Sequence, residues 1–584
     1  MTRTKKLINA PEDIIPQVIS GMVAAHPHLL TVEGATGRAV VAVDGPRDGK
    51  VGIVVGGGSG HEPAFAGYVG RGLADAAAVG NIFASPSPEQ ILDAARAADG
   101  GAGVCLLYGN YTGDVMNFTM AAEELQATGV RVAQVAVTDD VASASHDRRS
   151  ERRGIAGDFF VFKIAGAAAD MGEPLARVQA LAQKANDATL SMGVALGACS
   201  LPQTGKPNFE IGDDEMEIGM GLHGEPGIRR TRLATADEVT DELMQAILNE
   251  LSAQSGDRVA VLVNGLGATS LVELYIMFNR LKQVLDARDI SIHRSWVGEY
   301  ATSLEMAGAS ITVMRLDEEL ATLLDHPCRT PALTVGDLEA RVVPARRSAR
   351  RAESIISEKA EVLPKLELID DGAITPAIFR EMMRNAGGEI IAKRDWLSEL
   401  DGVIGDGDHG VTMEIGWKAV LTALFTAEET ETIEASCKRM SKAFLDAVGA
   451  SSGPLYATAF LRAGAAVSDR RSLDAAALAA WLAGAMQGIR DRGRAEPGDK
   501  TMVDAWAPAV DAAQAASTAS DELAVMTAAR DGAEAGMNAT ADLESRRGRS
   551  AKLGARSKGH IDPGAASTFL MLRGMALALS ERRA

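Results

Sequence analysis

Three aspartates, Asp401, Asp406 and Asp408, fall within eight residues in the run LDGVIGDGDHG, residues 400–410. Carboxylates crowded in this way repel one another unless a cation lies between them, and hard oxygen donors select Mg²⁺ or Ca²⁺. The spacing is not that of an EF-hand loop, which needs a glutamate at its twelfth position. Mg²⁺ takes few protein carboxylates and leaves positions for water and phosphate oxygens. The run therefore predicts a Mg²⁺–nucleotide site on a glycine-hinged turn. The bland alternative is an Asp-Gly surface turn with solvated charges. Three aspartates followed by His409 favour the metal.

Further glycine-rich loops share that half of the chain. In GASSGPL (449–455), small residues and backbone N–H groups ahead of a helix suit a phosphate, although a capping turn reads the same way. PGDKTM (497–502) is equally a surface turn when taken alone. GRS (548–550) and LGARSKGHIDPGA (553–565) bring Arg556, a candidate phosphate fork, and Asp562, a turn residue able to reach a ligand. No GxxxxGK[ST] loop occurs anywhere. One carboxylate loop among several phosphate-compatible loops points to phosphoryl transfer, with Mg²⁺ rather than lysine neutralising most of the charge.

In the other half, GGSGHE (57–62), TGD (112–114) and GMGLHGEP (219–226) set His61, Asp114 and His223 on glycine-flanked loops. A lone histidine is usually structural. Two histidines and an aspartate in such settings predict a base, an acid and a nucleophile for a small polar substrate.

These loops need elements to hold them. Val51–Val55, Gly103–Leu107, Val132–Val137, Arg258–Val263 and Ala309–Arg315 read as strands, most of them ending in glycine loops, with helical stretches between. That alternation predicts parallel α/β layers with ligand loops at the carboxyl ends of the strands. Beyond residue 366 strand signals nearly vanish and alanine-rich segments such as Asp474–Met486 predict an all-α bundle. The expected organisation is an α/β lobe over 1–190, a second over 191–336, a basic, proline-bearing linker over 337–365, and an all-α domain over 366–584. A chain of 584 residues has room for about three or four domains.

The net charge of −19 argues against a nucleic-acid partner, though Mg²⁺ can still bridge the chain to phosphates. Four scattered cysteines, Cys105, Cys199, Cys328 and Cys437, read as buried thiols of a reducing compartment. The N-terminus lacks the apolar segment of a signal peptide, and no run of about 18 apolar residues predicts a membrane span. A cytoplasmic location is expected.

At these residues the sequence resembles the dihydroxyacetone kinase family in its fused, ATP-dependent form. The carriers in the first half are GGGSGHEPAFAGYVG (56–70), NYTGDVMNF (110–118), RRGIAG (152–157), GMGLHGEPG (219–227) and VGEYATSLEMAG (297–308). In the second half they are LDGVIGDGDHG (400–410), GASSGPLY (449–456), PGDKTMVDA (497–505) and GRSAKLGARSKGHIDPGAAS (548–567). The resemblance implies a two-lobed α/β substrate domain followed by an all-helical nucleotide domain. It implies that His223 bonds covalently to a ketone carbon as a hemiaminal, that Asp114 takes the proton of the attacking primary hydroxyl, and that His61 bonds the substrate and assists the adduct. Gly58 and Ser59 would line the same loop. Asp401, Asp406 and Asp408 would hold two Mg²⁺ ions bridging ATP. The nucleotide would lie against His409, Gly410, Thr412, Gly449, Ala450, Ser451, Ser452, Gly498, Met502, Gly548, Arg549, Arg556, Asp562, Pro563 and Gly564. A homodimer, a small ketose and ATP are the implied partners. Two further activities are implied by other relatives: FAD cleavage to AMP and cyclic FMN at the same metal site, and ketose sensing without catalysis.

Two positions depart from members that use dihydroxyacetone. Those commonly carry a lysine just before the NYTGD motif, where Gly109 stands here, and a histidine after RRGIAG, where the chain reads Asp158-Phe-Phe-Val-Phe162-Lys163. A lost lysine and a polar ring replaced by Phe162 predict a pocket that admits a ketotetrose such as erythrulose.

Overall fold

The structure, a computed structural model, describes residues 4–336, 368–405, 407–427, 431–519 and 521–582. The expected linker and Asp406 lie outside the described residues. Those that are described form two compact units, one of residues 4–336 with 449–451 and one of the remaining residues from 368.

The first unit holds two six-stranded sheets. One is built from β1 (Leu30–Glu33), β2 (Ala39–Ala42), β3 (Gly52–Ser59), β4 (Ala76–Ile82), β5 (Val104–Gly109) and β6 (Val132–Val137), in the order β1-β2-β4-β3-β5-β6. Its β3, β4, β5 and β6 run parallel, and the β1–β2 hairpin adds an antiparallel edge. The Val-rich β3 was expected to stop at its glycines but runs through them to Ser59. The glycines stay extended because neighbours press on them. A Cβ on Gly57 would come within 2.2 Å of the Phe65 ring, and one on Gly58 within 2.7 Å of the Ala84 nitrogen. The chain turns only at Gly60, whose φ of +98° suits glycine. His61 follows that turn.

The second sheet contains β7 (Thr189–Ala195), β8 (Glu215–Ile218), β9 (Arg229–Arg232), β10 (Arg258–Gly265), β11 (Ser291–Gly298) and β12 (Gly308–Leu316), in the order β11-β10-β12-β7-β8-β9. Parallel layering, expected throughout, fails here. Only β10 and β11 pair in parallel, while β12 runs antiparallel to both its neighbours and β7, β8 and β9 form an antiparallel meander. The edge strand β9 reads Arg-Arg-Thr-Arg and is largely exposed, so it carries no apolar signal from which pairing could be read.

In the second unit the longer regular elements among the described residues are all helices. Asp474 caps the helix Ala475–Gly493 by accepting from the Ala477 nitrogen at 2.7 Å. Trp417, Trp481 and Trp506 are fully buried between helices, each contributing on the order of 2–3 kcal/mol of apolar burial. The last helix, Pro563–Glu581, packs on Pro376–Ala392 so closely that a Cβ on Gly574 would meet the Ala386 Cα at 2.6 Å. This helix carries Asp562 at its start, and its neighbours carry the aspartate loop.

Candidate active sites in the two units

In the first unit, β3 and β5 are adjacent parallel strands, so the segments leaving their carboxyl ends are neighbours. β3 delivers Ser59 and His61. β5 ends at Gly109 and leads through Tyr111 into the helix Thr112–Ala127, whose first turn holds Asp114, 8% exposed. His223 arrives from the other sheet, on the loop that follows β8. The two histidines meet with Nε2 to Nε2 at 3.0 Å. Ser59 Oγ donates to the Gly80 carbonyl at 2.9 Å, which holds the loop rather than presenting a free hydroxyl.

The partners of the outer ring nitrogens assign the protons. His61 Nδ1 faces the Thr302 carbonyl at 2.8 Å and so carries a hydrogen. His223 Nδ1 faces Glu225 Oε1 at 3.0 Å, while the Glu225 Oε2 accepts from the His223 backbone nitrogen at 3.0 Å. A proton between the two Nε2 atoms makes a hydrogen bond; without one, two lone pairs face each other. Burial first, then the neighbouring His223, push the His61 pKa down to about 3. His61 is therefore the acceptor at rest, and the bridging proton sits on His223, opposite Glu225. Phe83 stacks on His61 at 5.0 Å, and Phe83 and Tyr111 meet His223 edge-on at 5.2 Å and 4.7 Å. The aromatic walls keep the pair in a low-dielectric setting. Glu225, Thr302 and Tyr111 were not among the residues singled out, although all three stand inside the quoted motifs.

In the second unit the aspartate run is not a free turn. Asp401 lies in the last turn of the helix Arg394–Ile404, and the helix His409–Phe425 begins straight after Asp408. Asp401 Oδ2 accepts from the His409 nitrogen at 3.1 Å. A Cβ on Gly410 would come within 1.9 Å of the Arg394 carbonyl oxygen, so glycine lets the two helices close on each other. His409 Nε2 lies 3.0 Å from Ser567 Oγ, which Tyr456 Oη also reaches at 3.2 Å. Burial lowers the His409 pKa, opposed by the charges of Asp401 and Asp408. Thr412 donates its backbone nitrogen to the Asp408 carbonyl at 2.9 Å.

The loop over 497–502 gathers at the same place. Asp504 accepts from the Gly498 nitrogen at 2.5 Å and the Thr501 nitrogen at 2.7 Å. Lys500 is buried, and its Nζ donates to the carbonyls of Thr540, Leu543 and His560 at 2.7, 3.3 and 2.6 Å. It is a clamp for the surrounding loops, which no sequence signal announced. Asp562 caps the last helix, accepting from the Ala565 nitrogen at 2.7 Å. A Cβ on Gly564 would sit 3.3 Å from the Met502 Cβ, so these two loops abut, with Pro563 between Asp562 and Gly564. The turn over 449–451 leads into the helix Ser452–Ala465, so Ser452 is its first residue rather than a loop residue, preceded by Gly449, Ala450 and Ser451. Gly548 opens the turn Arg549–Ser557, which packs on Arg394–Ile404; Arg556 is exposed there, and the Arg549 side chain lies outside the described residues.

Among the described residues no three His, Cys, Asp or Glu side chains converge tightly enough to hold a metal by themselves. The donor set nonetheless fits a hard divalent cation. Burial pushes the Asp562 pKa up to about 7, with Asp504 and Asp401 adding to the rise and Lys500 opposing it. Buried carboxylate oxygens that feel one another's charge suit a hard divalent cation such as Mg²⁺. No helix among the described residues is long and apolar enough to cross a membrane. The four cysteines are buried and free.

Residues 20–332 match the family model of the Dak1 domain, and residues 403–577 match that of the DAK2 domain. The chain is 39% identical over 581 residues to the L-erythrulose 1-kinase of Mycolicibacterium smegmatis, covering 98% of this chain and 100% of the relative. It is 40% identical over 576 residues to the D-erythrulose kinase of the same organism, covering 98% of each. Among solved structures it is similar to the dihydroxyacetone kinase from C. freundii in complex with AMP-PNP and Mg²⁺, at 29% identity and a TM-score of 0.52, covering 99% of this chain and 100% of that one.

Proposed function

Because this chain belongs to the dihydroxyacetone kinase family, with Dak1 and DAK2 domains in one polypeptide, we propose that it transfers the γ-phosphoryl group of ATP to the primary hydroxyl of a short ketose. The observation that carries this reading is the His61–His223 pair, with the Nε2 atoms 3.0 Å apart and His223 anchored on Glu225. It is a nucleophile and an acid sharing one proton, the equipment for adding to a carbonyl.

In this reading the ketone carbon meets His223 Nε2. The bridging proton passes to His61 Nε2 and on to the ketone oxygen as the N–C bond forms and the C=O π bond breaks. A buried His61 of low basicity releases that proton readily. The Nδ1–H···Oε1 contact to Glu225 stabilises the positive charge left on the alkylated imidazole. The hemiaminal holds a substrate that a few hydrogen bonds could not tell from glycerol. Asp114 then takes the proton of the hydroxyl next to the captured carbon, and that oxygen attacks the γ-phosphorus in line, with ADP leaving. Gly58 and Ser59 shape the loop beneath.

Asp401, Asp406 and Asp408 would hold two Mg²⁺ ions, which supply charge neutralisation on the phosphates when bound. His409, with its ring on Ser567, and the loops around Met502, Asp562 and Gly564 would cradle the nucleotide. The 1–190 and 191–336 lobes would each bring one sheet to the ketose site. Relatives named for both L- and D-erythrulose lie at almost equal identity, which supports a ketotetrose without choosing its hand. A homodimer in the cytoplasm completes the proposal.

Coupled ADP detection with ATP, Mg²⁺ and a panel of C3–C6 ketoses tests it. The expected result is fastest turnover with erythrulose or dihydroxyacetone. The same assay with FAD in place of ketose tests the lyase alternative, and ketose binding without ADP release would support the sensor.

A further inference from the structure

Oη of Tyr111 and Oδ1 of Asp158 are among the buried side-chain atoms without a hydrogen-bond partner, and the charge of Asp158 reaches both Tyr111 and Asp114. A buried polar atom left unsatisfied is costly, and such groups in native structures call for a reason. Tyr111 is tied to the site by its ring, edge-on to His223 at 4.7 Å. Asp158, 5% exposed, is the first residue of the helix Asp158–Asp170. Its neighbour Asp139 pins the turn before it, Oδ1 accepting from the Ile155 nitrogen at 2.8 Å and Oδ2 from the Gly157 nitrogen at 2.7 Å. Asp139 is thus fully engaged in positioning, while Asp158 has a free oxygen.

The surroundings of the Tyr111 ring are formed by backbone on the side of Gly109. Gly109 contributes no side chain, and a Cβ there would lie 3.4 Å from the Tyr111 ring and 3.3 Å from the Gly154 carbonyl oxygen. The segment RRGIAG, leading to Asp158, thus packs backbone to backbone on the end of β5 beside Tyr111. Burial, then the charges of Asp139 and Asp114, hold the Asp158 pKa well above the carboxylate range. Burial thus favours its protonated form, which offers one donor and one acceptor, and Asp114 is among the charges it feels. Phe162, on the same helix, instead packs on Phe65 at 6.1 Å in the apolar core, so it shapes the wall and leaves hydrogen bonding to Asp158.

Resting on the kinase reading above, we propose that Tyr111 and Asp158 form a distal-hydroxyl subsite that binds the fourth-carbon hydroxyl of a ketotetrose, a group a three-carbon ketose lacks. Captured at its second carbon by His223, a ketotetrose would direct its first carbon to Asp114 and its far end to this pair. A site built to hydrogen-bond a hydroxyl discriminates strongly against an analogue without it.

The test is the ratio of kcat/KM for erythrulose to that for dihydroxyacetone, measured in the wild type, Tyr111→Phe and Asp158→Leu. Tyr111→Phe removes only an atom with no partner in the fold. Asp158→Leu replaces a carboxyl whose Oδ1 has no partner by an apolar group of similar size. Each should lower the ratio at least tenfold, and neither should lower the thermal midpoint. A ratio within twofold of the wild type in both variants overturns the subsite, as does an equal loss for both ketoses. Ketose affinities from calorimetry without nucleotide read the same ratio, so failure of turnover in the wild type would refute the kinase reading while the subsite is still decided by binding.

Discussion

His61 and His223 lie Nε2 to Nε2 at 3.0 Å, each with its other ring nitrogen already committed, to the Thr302 carbonyl and to Glu225. Two neutral rings cannot satisfy all three contacts, because the outer contacts take both hydrogens. The pair is built to share a third proton, and that proton is what carbonyl addition needs.

The first prediction concerns acid stability. His61 titrates near its ordinary value of 6.5 when unfolded and at about 3 when folded. Between those values the unfolded chain binds more protons, so this residue's contribution to stability rises with pH and is lost on acidification below 6.5. From pH 6.5 to pH 5 the loss amounts to about 2 kcal/mol. Thermal midpoints should therefore fall more steeply from pH 7 to pH 5 in the wild type than in His61→Asn. Equal slopes would show that His61 is protonated in the folded protein.

His223→Ala should abolish ketose capture while leaving the helical unit intact. With a ketose labelled at its carbonyl carbon, the wild type should convert part of the ketone ¹³C signal to that of a tetrahedral carbon. The same new signal from the Ala variant would refute the covalent role.

Asp408→Asn should lower kcat at least 100-fold at limiting Mg²⁺, since one lost carboxylate leaves the phosphates poorly neutralised. It should still form the ketose adduct, because the carbonyl chemistry uses residues of the other unit. Near-normal turnover at low Mg²⁺ would remove Asp408 from the metal site.

Much of this was legible in the sequence, and the failures have physical causes. Glycine-bounded chemistry stands out because few other requirements put histidine and aspartate between glycines, and His61 and His223 do meet. The run Asp474–Met486 announced its helix because alanine-rich composition is a local signal, and the capping bond of Asp474 to the Ala477 nitrogen agrees with it. The second sheet was misjudged because its antiparallel order depends on pairing between distant segments, and β9, Arg229–Arg232, has no alternating pattern to reveal it. Lys500 was missed because three carbonyls from separate loops converge on it only in the fold. Glu225 was overlooked beside a more conspicuous histidine, since its role depends on a side chain bending back two residues.

Lys500→Met should destabilise the helical unit by about 3 kcal/mol, because three buried carbonyls lose a charged donor. Thermal unfolding checks this, and an unchanged midpoint would mean that the clamp carries no net stability.

Gly109→Lys introduces a long cationic chain beside the Tyr111 ring, with its Cβ 3.4 Å from that ring and 3.3 Å from the Gly154 carbonyl oxygen. It should narrow the space for a fourth carbon and shift the erythrulose-to-dihydroxyacetone ratio of kcat/KM at least tenfold toward dihydroxyacetone, about 1.4 kcal/mol of differential transition-state binding. An unchanged ratio would show that this position does not set substrate size.

The central claim is ATP-dependent phosphorylation of a ketose captured by His223. Its most direct test follows ADP and sugar phosphate together, by coupled assay and ³¹P NMR, in wild type and His223→Ala with erythrulose, ATP and Mg²⁺. The expected result is ketose-dependent ADP release matched one to one by a ketose 1-phosphate, at a rate at least 100-fold lower in the Ala variant at low ketose concentration. ADP release indifferent to ketose, or wild-type rates in His223→Ala, would contradict it.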